Sequence, residues 1–526
     1  MASDEYLKSM VVVVLVLLCC SGCGESDASQ SLKIPVSMFV GSVSSTIETL
    51  HHQVIPNVSK FAQAFTDLRL KNAIADCLEL MDLSMDQLSF TRAASLDLNG
   101  TSNNGTGDVS ADMKTWLSAA LINQVTCLDG FEGTHHNVSY VIAGHLDKIT
   151  SSVLNMLSNV TTTNSTTPPP KKEGRGLGGR KLIGGDKFPD WLGSRDRNLL
   201  EAASINGTVV ADAVVAADGT GNFTTIEEAL GAAPNNSDQR YVIHIKRGVY
   251  KEYLEISKKK KNIMMIGDGI DVTVISGNRS FVDGWTTYRS ATFALKGWGF
   301  MARDITFENT AGPEKHQAVA FRSDSDLSVM YRCAFRGYQD TLYAHSLRQF
   351  YRECQITGTI DFIFGDAAAV FQNCDIRARQ GLPNQKNAVT AQGRKDPFEN
   401  TGFSIQFCNI SAEPGVLNTT QTYLGRPWKP YSRTVIMQSN ISDAIRPEGW
   451  LEWNGNVSLD TLFYAEYLNT GPGAAMGARV KWPGYRILNT SAQASNFTVS
   501  RFLMGDDWLP STGVKYTSGL VASGRM

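Results

Sequence analysis

The chain of 526 residues is long enough for more than one domain, and its 42% hydrophobic content can fill sizeable cores. Its 49 basic and 51 acidic residues balance, which excludes the strongly basic face of a nucleic-acid-binding protein.

Residues 10–20, from Met10 to Cys20, form an apolar run that is short for a membrane span and suits a signal-peptide core. Ser21, Gly22 and Gly24 supply the small residues that cleavage requires, although Asp4 and Glu5 outweigh Lys8 ahead of the run. Residues 1–24 are therefore read as a signal peptide, with a membrane-anchored precursor as the alternative. Cys20-Ser21-Gly22-Cys23 has redox or metal spacing but falls in this leader. Sixteen Asn-x-Ser/Thr sequons, among them Asn57, Asn137, Asn206, Asn278 and Asn496, suit a secreted glycoprotein. Beyond the leader six cysteines remain: Cys77, Cys127, Cys333, Cys354, Cys374 and Cys408. An even number in an oxidising compartment allows disulfides without fixing their pairing.

Residues 31–160 read as an all-α unit. Ile74, Cys77/Leu78, Met81, Met85 and Leu88 recur at the spacing of one helix face, and Trp116/Leu117, Ala120/Leu121 and Leu128 repeat the pattern. A small antiparallel bundle is the simplest architecture, and Cys77 and Cys127 are placed to be bridged across it. Residues 161–200 read as a linker: the Thr/Asn/Ser run ending in Pro168-Pro169-Pro170 cannot bury a core. Arg180-Lys181-Leu182-Ile183, among glycines, is an accessible processing site; a merely solvated basic linker is the alternative.

From about residue 205 to 518 short β runs take over, such as Tyr241–Ile245, Ile263–Ile266 and Thr273–Ile275, punctuated by Gly, Asn and Asp. Thr225–Ala232 is helical and suits a cap on the N-terminal end of a stack. Lys258–Lys261 reads as a solvated turn, with attraction of an acidic polymer as its alternative.

Cys333, Cys354 and Cys374 follow one another at 21 and 20 residues, and Asp340 and Asp361 are 21 apart. A period near twenty with β runs in each copy predicts a parallel β-solenoid. Positions one period apart then lie on neighbouring rungs, about 4.8 Å apart, so the two carboxylates stack. At an effective dielectric near 20 two such anions repel by roughly 3 kcal/mol, enough to hold a proton on one of them. A protonated acid beside an anionic nucleophile is a usable catalytic pair. Two surface turn aspartates are the plainer alternative, but Tyr338, Leu342, Tyr343, Ile360, Phe362 and Phe364 surround this pair with apolar side chains. Gln317 and Gln339, 22 apart, place two amide donors near the same point, or else form an amide ladder. Arg426 suits a bidentate carboxylate contact, or else stacks on Trp428. The chain contains neither a Gly-x-Ser-x-Gly elbow nor a His-Glu-x-x-His helix.

Gly248-Val249-Tyr250-Lys251-Glu252, His316-Gln317-Ala318-Val319-Ala320-Phe321, Tyr338-Gln339-Asp340-Thr341-Leu342, Asp361-Phe362-Ile363-Phe364-Gly365 and Leu424-Gly425-Arg426-Pro427-Trp428 occur in this order. Together they resemble the plant pectin methylesterases (pectinesterases). Asp112–Ala120 with Thr126-Cys127-Leu128-Asp129-Gly130 resembles the inhibitor-like pro-region of the long form. The resemblance implies an all-β right-handed parallel β-helix catalytic domain preceded by an all-α four-helix-bundle domain. It implies hydrolysis of methyl esters of homogalacturonan, without cofactor or metal, in the extracellular cell wall. Asp361 matches the nucleophile, Asp340 the acid/base, Gln317 and Gln339 the oxyanion donors, and Arg426 the residue that orients the nucleophile. Thr287, Gln317, Tyr343, Phe364, Arg426 and Trp428 match substrate-cleft positions, and Cys354 and Cys374 a disulfide. The implied partners are methyl-esterified homogalacturonan, the chain's own pro-region as intramolecular inhibitor, separate proteinaceous pectinesterase inhibitors and a processing protease. The chain departs from the family in three places: no cysteine lies between Cys23 and Cys77, Asn198 removes a second dibasic site, and Phe321 replaces a Leu. A pectin-depolymerising β-helix enzyme and a non-enzymatic inhibitor or wall-binding protein are the competing readings.

Overall fold

A computed structural model describes residues 31–97, 105–134, 137–161, 210–416 and 420–522. The leader and the linker with Arg180–Ile183 lie outside the described residues. The N-terminal unit consists of α1 (Val36–Thr49), α2 (Leu68–Leu96), α3 (Val109–Asp129) and α4 (Val138–Asn159), with a π-helical turn Leu50–Val54 continuing α1. Asp67 and Asp108 start α2 and α3 by accepting hydrogen bonds from the amides of Leu70 and Ala111, satisfying donors that a helix start leaves unpaired. The apolar faces read from sequence meet in one core that includes Phe39, Leu70, Ile74, Leu117 and Ile142. Cys77 and Cys127 are bonded across 50 residues, tying α2 to α3. Every residue of α3 from Asp112 to Cys127 is buried, because one side packs in the bundle and the other against the second unit.

The second unit is a solenoid of three parallel sheets with eleven, eight and seven strands. Each complete coil contributes one strand to each sheet, the end coils fewer, and every named strand pair is parallel. Residues in left-handed conformation mark one corner of successive coils: Asp304, Arg332, Glu353, Asn373, Phe407 and Gln438, with φ between 48° and 58°. Cys333, Cys354, Cys374 and Cys408 each follow such a corner and turn inward. Phe293 stacks on Phe321 and Phe307 on Phe335, with centroids 5.4 and 5.7 Å apart, so aromatic ladders fill the interior. Ile226, Ala229 and Leu230 of the helix Ile226–Ala232 join this core, and a capping box of Thr225 and Glu228 starts the helix.

The disulfide expected between Cys354 and Cys374 is absent, and both are buried thiols. Gln355 pairs in register with Asp375, so the two cysteines occupy equivalent places on adjacent coils. Their Cβ atoms therefore point the same way rather than toward each other, as a disulfide would require. Cys354 Sγ instead donates to the Met330 carbonyl at 3.3 Å and Cys374 Sγ to that of Tyr351 at 3.5 Å.

The seven-stranded sheet carries the site. Its strands in order are β1 (Leu254–Ile256), β2 (Phe293–Leu295), β3 (Phe321–Ser323), β4 (Leu342–Ala344), β5 (Ile363–Gly365), β6 (Lys386–Gln392) and β7 (Gln421–Gly425).

Alkylation in denaturant without reductant is expected to label Cys333, Cys354, Cys374 and Cys408 but not Cys77 or Cys127. Cys77→Ser should cost the helical unit up to about 4 kcal/mol, from the entropy of a 50-residue loop, read as a lower denaturant midpoint of its unfolding.

Candidate active site

Leu342 pairs with Ile363, and Asp340 and Asp361 each stand two residues before this pair. They are therefore stacked on neighbouring coils at the edge of β4 and β5. Both backbones are left-handed, with φ of 64° and 53°, a conformation that short polar side chains tolerate. The Asp340 amide donates to the Ile360 carbonyl at 3.1 Å, which locks the two turns together.

Arg426, one residue beyond β7, reaches back to this pair. Its Nε and Nη2 donate to the two oxygens of Asp361 at 2.8 and 2.7 Å. A planar fork on a planar carboxylate fixes its orientation as well as its charge. The guanidinium stacks over Trp453 at 4.3 Å, not on Trp428.

Asp340 and Asp361 are both deeply buried, and their surroundings differ. Burial pushes the Asp340 carboxyl well above the usual carboxylate range, and the charge of Asp361 pushes the same way, against a smaller pull from Arg426. The helical unit's Glu132 adds to the upward push. Burial leaves Asp361 above its usual value as well, but the bidentate Arg426 opposes that rise. Between pH values set by the two groups, Asp340 holds the proton and Asp361 the charge.

Gln339 directly precedes Asp340, and Gln317 lies at the corresponding turn of the preceding coil. The Ala318 amide donates to the Gln339 carbonyl at 3.2 Å, which joins their two coils. Among the described residues neither side-chain amide makes a hydrogen bond.

Tyr343 and Phe364, at equivalent places on β4 and β5, stack at 4.1 Å, and Trp428 meets Phe364 edge-on at 6.0 Å. Gly393 permits this approach: a Cβ there would come within 2.7 Å of the Trp428 ring. Thr287 is half-buried two coils before Asp340, just ahead of Tyr288–Ser290.

The helical unit lies across this region. Tyr343, Phe364 and Trp428 pack into the same apolar cluster as Leu117, Leu121 and Trp116 of α3. Thr126 Oγ1 is 2.8 Å from His345 Nε2 and 3.4 Å from Tyr343 Oη, and Lys429 Nζ donates to Asp129 at 2.9 Å. Arg348, fully buried, bridges Asp326 of the solenoid and Asp112 of α3.

Sequence reasoning missed a further set of contacts, in which Arg289 and Lys296 of the solenoid pair with Asp76 and Glu79 of α2. Arg289 and Lys296 sit in ordinary-looking segments and carry no motif. The only signal was on the opposite side, in the acidic residues at helical spacing along α2. The run Lys258–Lys261 is not uniformly solvated: Lys258 pairs with α2, while Lys260 donates to the Gly231 carbonyl at the end of the helix Ile226–Ala232.

Residues 212–506 match the family model described as pectinesterase, and residues 19–162 match that described as plant invertase/pectin methylesterase inhibitor. The probable pectinesterase/pectinesterase inhibitor 32 of Arabidopsis thaliana is 58% identical over 99% of both chains. The pectinesterase/pectinesterase inhibitor PPE8B of Prunus persica is 58% identical over 96% of both. Among solved structures, a pectin methylesterase from carrot is 54% identical and matches over all of its length and 60% of this chain, with a TM-score of 0.59.

Removing the guanidinium in Arg426→Ala should raise the Asp361 pKa, since the lost contact is the one that lowers it. Difference infrared titration is expected to keep a protonated carboxyl band to higher pH than in the parent; an identical titration would detach Arg426 from the pair.

Proposed function

The chain belongs to the pectinesterase family and is a carboxylic ester hydrolase, and we propose that it removes methyl esters from polygalacturonan through Asp361 and Asp340. The observation that carries this reading is the stacked carboxylate pair in which Arg426 clamps one member while the other is buried, its pKa pushed well up.

In this reading Asp361 attacks the ester carbonyl carbon. The oxyanion that forms accepts hydrogen bonds from the amides of Gln317 and Gln339. Asp340 gives its proton to the departing methoxide, so methanol leaves and an acyl–Asp361 anhydride remains. Asp340, now ionised, takes a proton from water as the water oxygen adds to the acyl carbon. Collapse releases Asp361 as carboxylate, the product as a galacturonate acid, and Asp340 protonated again. Tyr343, Phe364 and Trp428 offer apolar faces along which sugar rings rest, and Thr287 extends the cleft. The helical unit covers this cleft through Thr126 and Asp129, which supports a pro-region that restrains the enzyme until the linker is cut near Arg180–Ile183. The sequons and apolar leader support secretion to the cell wall. Among the described residues no helix is long and apolar enough to cross a membrane.

Asp361→Ala is expected to lower methanol release from methylated pectin by roughly 10⁴-fold or more, the scale of losing a covalent nucleophile; retained turnover would sink the assignment. Product chain length should equal that of the substrate, and shortening would favour a depolymerase. Cleaving the linker should raise the rate of methanol release, and equal rates before and after would remove the restraint.

A further inference from the structure

Four acidic residues of α2, Asp76, Glu79, Asp82 and Asp86, recur at intervals of 3, 3 and 4. That spacing sets them on one face of the helix, with carboxylates rising by about 4.5, 4.5 and 6 Å. All four are seated on cations of the solenoid. Arg289 pairs with Asp76 and, at 3.2 Å, with Glu79; Lys296 pairs with Glu79 at 2.6 Å; Lys258 pairs with Asp82 and Asp86, each at 2.7 Å. Tyr288 Oη adds a hydrogen bond to Glu79 at 3.0 Å.

These cations belong to the sheet that carries Asp340 and Asp361. Lys258 follows β1, Lys296 follows β2, and Arg289 precedes β2 by four residues. From the coil of Arg289 to that of Asp361 is three rungs, about 14 Å. Among the described residues of the solenoid this row has only Glu255 as a carboxylate partner, to Lys296; the remaining compensation comes from α2. Beside it lies a cavity of about 120 Å³ whose lining includes Arg279, Trp285, Arg289 and Tyr253. The Arg279 guanidinium is sandwiched between Tyr253 and Trp285 at 3.8 and 4.0 Å and makes no ion pair among the described residues.

We propose that the row Arg289, Lys296 and Lys258, extended by Arg279, is a binding track for de-esterified polygalacturonate, and that the acidic face of α2 occupies it as a polycarboxylate mimic. This rests on the reading of the enzyme as a pectin methylesterase. A linear chain of sugar acids presents carboxylates at regular intervals, as α2 does, and the aromatic faces at Arg279 suit a sugar ring. Carboxylates made by the enzyme are then held a few rungs from where the next ester is cut, while methyl esters, having no charge, are not.

The test uses the full chain nicked at Arg180–Lys181 with both parts present, and three probes at equal ionic strength: a long oligogalacturonate, its full methyl ester, and sodium chloride. Size-exclusion chromatography reads release of the helical part. Oligogalacturonate is expected to release it at a concentration at least about ten-fold below that of the ester. Asp82→Asn with Asp86→Asn, two partly exposed positions, should lower the concentration needed without unfolding the bundle. Lys258→Ala with Lys296→Ala should collapse the preference for acid over ester. Equal release by acid and ester, release matched by salt, or no release by oligogalacturonate even from the Asn variant would leave the row as a docking surface alone and overturn the track. Asp361→Ala should retain the displacement, which separates this outcome from any failure of the catalytic reading.

Discussion

In-register stacking of parallel coils is the constraint on which the rest depends. Each backbone hydrogen bond of the ladder fixes one coil at about 4.8 Å from the next. Whatever occupies equivalent places is therefore repeated at that interval: aromatic rings in the interior, thiols beyond the corners, carboxylates at the edge. For rings the interval is favourable, as the ladder from Phe293 to Phe335 illustrates. For carboxylates it is unfavourable, and the conflict is resolved by protonating one and clamping the other. The catalytic asymmetry proposed for Asp340 and Asp361 thus arises from a geometric symmetry that two like charges cannot share.

The same sheet edge organises the contact with the helical unit. α3 meets it with apolar surface over Tyr343 and Phe364, and α2 meets it with charge over Arg289, Lys296 and Lys258. These pairs differ in environment. Asp76 is fully buried, and burial lifts its carboxyl to about 6 despite Arg289. Glu79 is also desolvated, yet Arg322 and Lys296 together take it below its usual range. Lys258 with Asp82 and Asp86 is partly solvated and contributes correspondingly less. The apolar patch and the graded row of ion pairs together seat the bundle on the sheet.

The sequence carried the solenoid because its period is written in residues that recur: cysteines after each corner and aspartates after each turn. It carried the stacking of Asp340 on Asp361 for the same reason, and the helices α2 and α3 through their apolar spacing. What it carried poorly was anything set by side-chain direction or by contact between distant segments. Cys354 and Cys374 are close in space, but stacked Cβ vectors point in parallel, which a count of residues does not reveal. Arg426 is 65 positions from Asp361, and its ring partner proved to be Trp453 instead of its neighbour Trp428. Arg289 and Lys296 acquire their meaning only when α2 is laid across them, more than 200 residues away in the chain.

The corners have one more consequence. Successive corner cysteines are 21, 20 and then 34 residues apart, from Cys333 to Cys408, yet Asp375 still pairs in register with Asn409. The added length is taken up largely between strands, around residues 379–385 and 393–401, and leaves the ladder untouched. Coil length and coil register are thus separate variables in this architecture. Evolution can lengthen, shorten or recharge the loops that rim the cleft, one coil at a time, while the spacing of the groups beneath them stays constant.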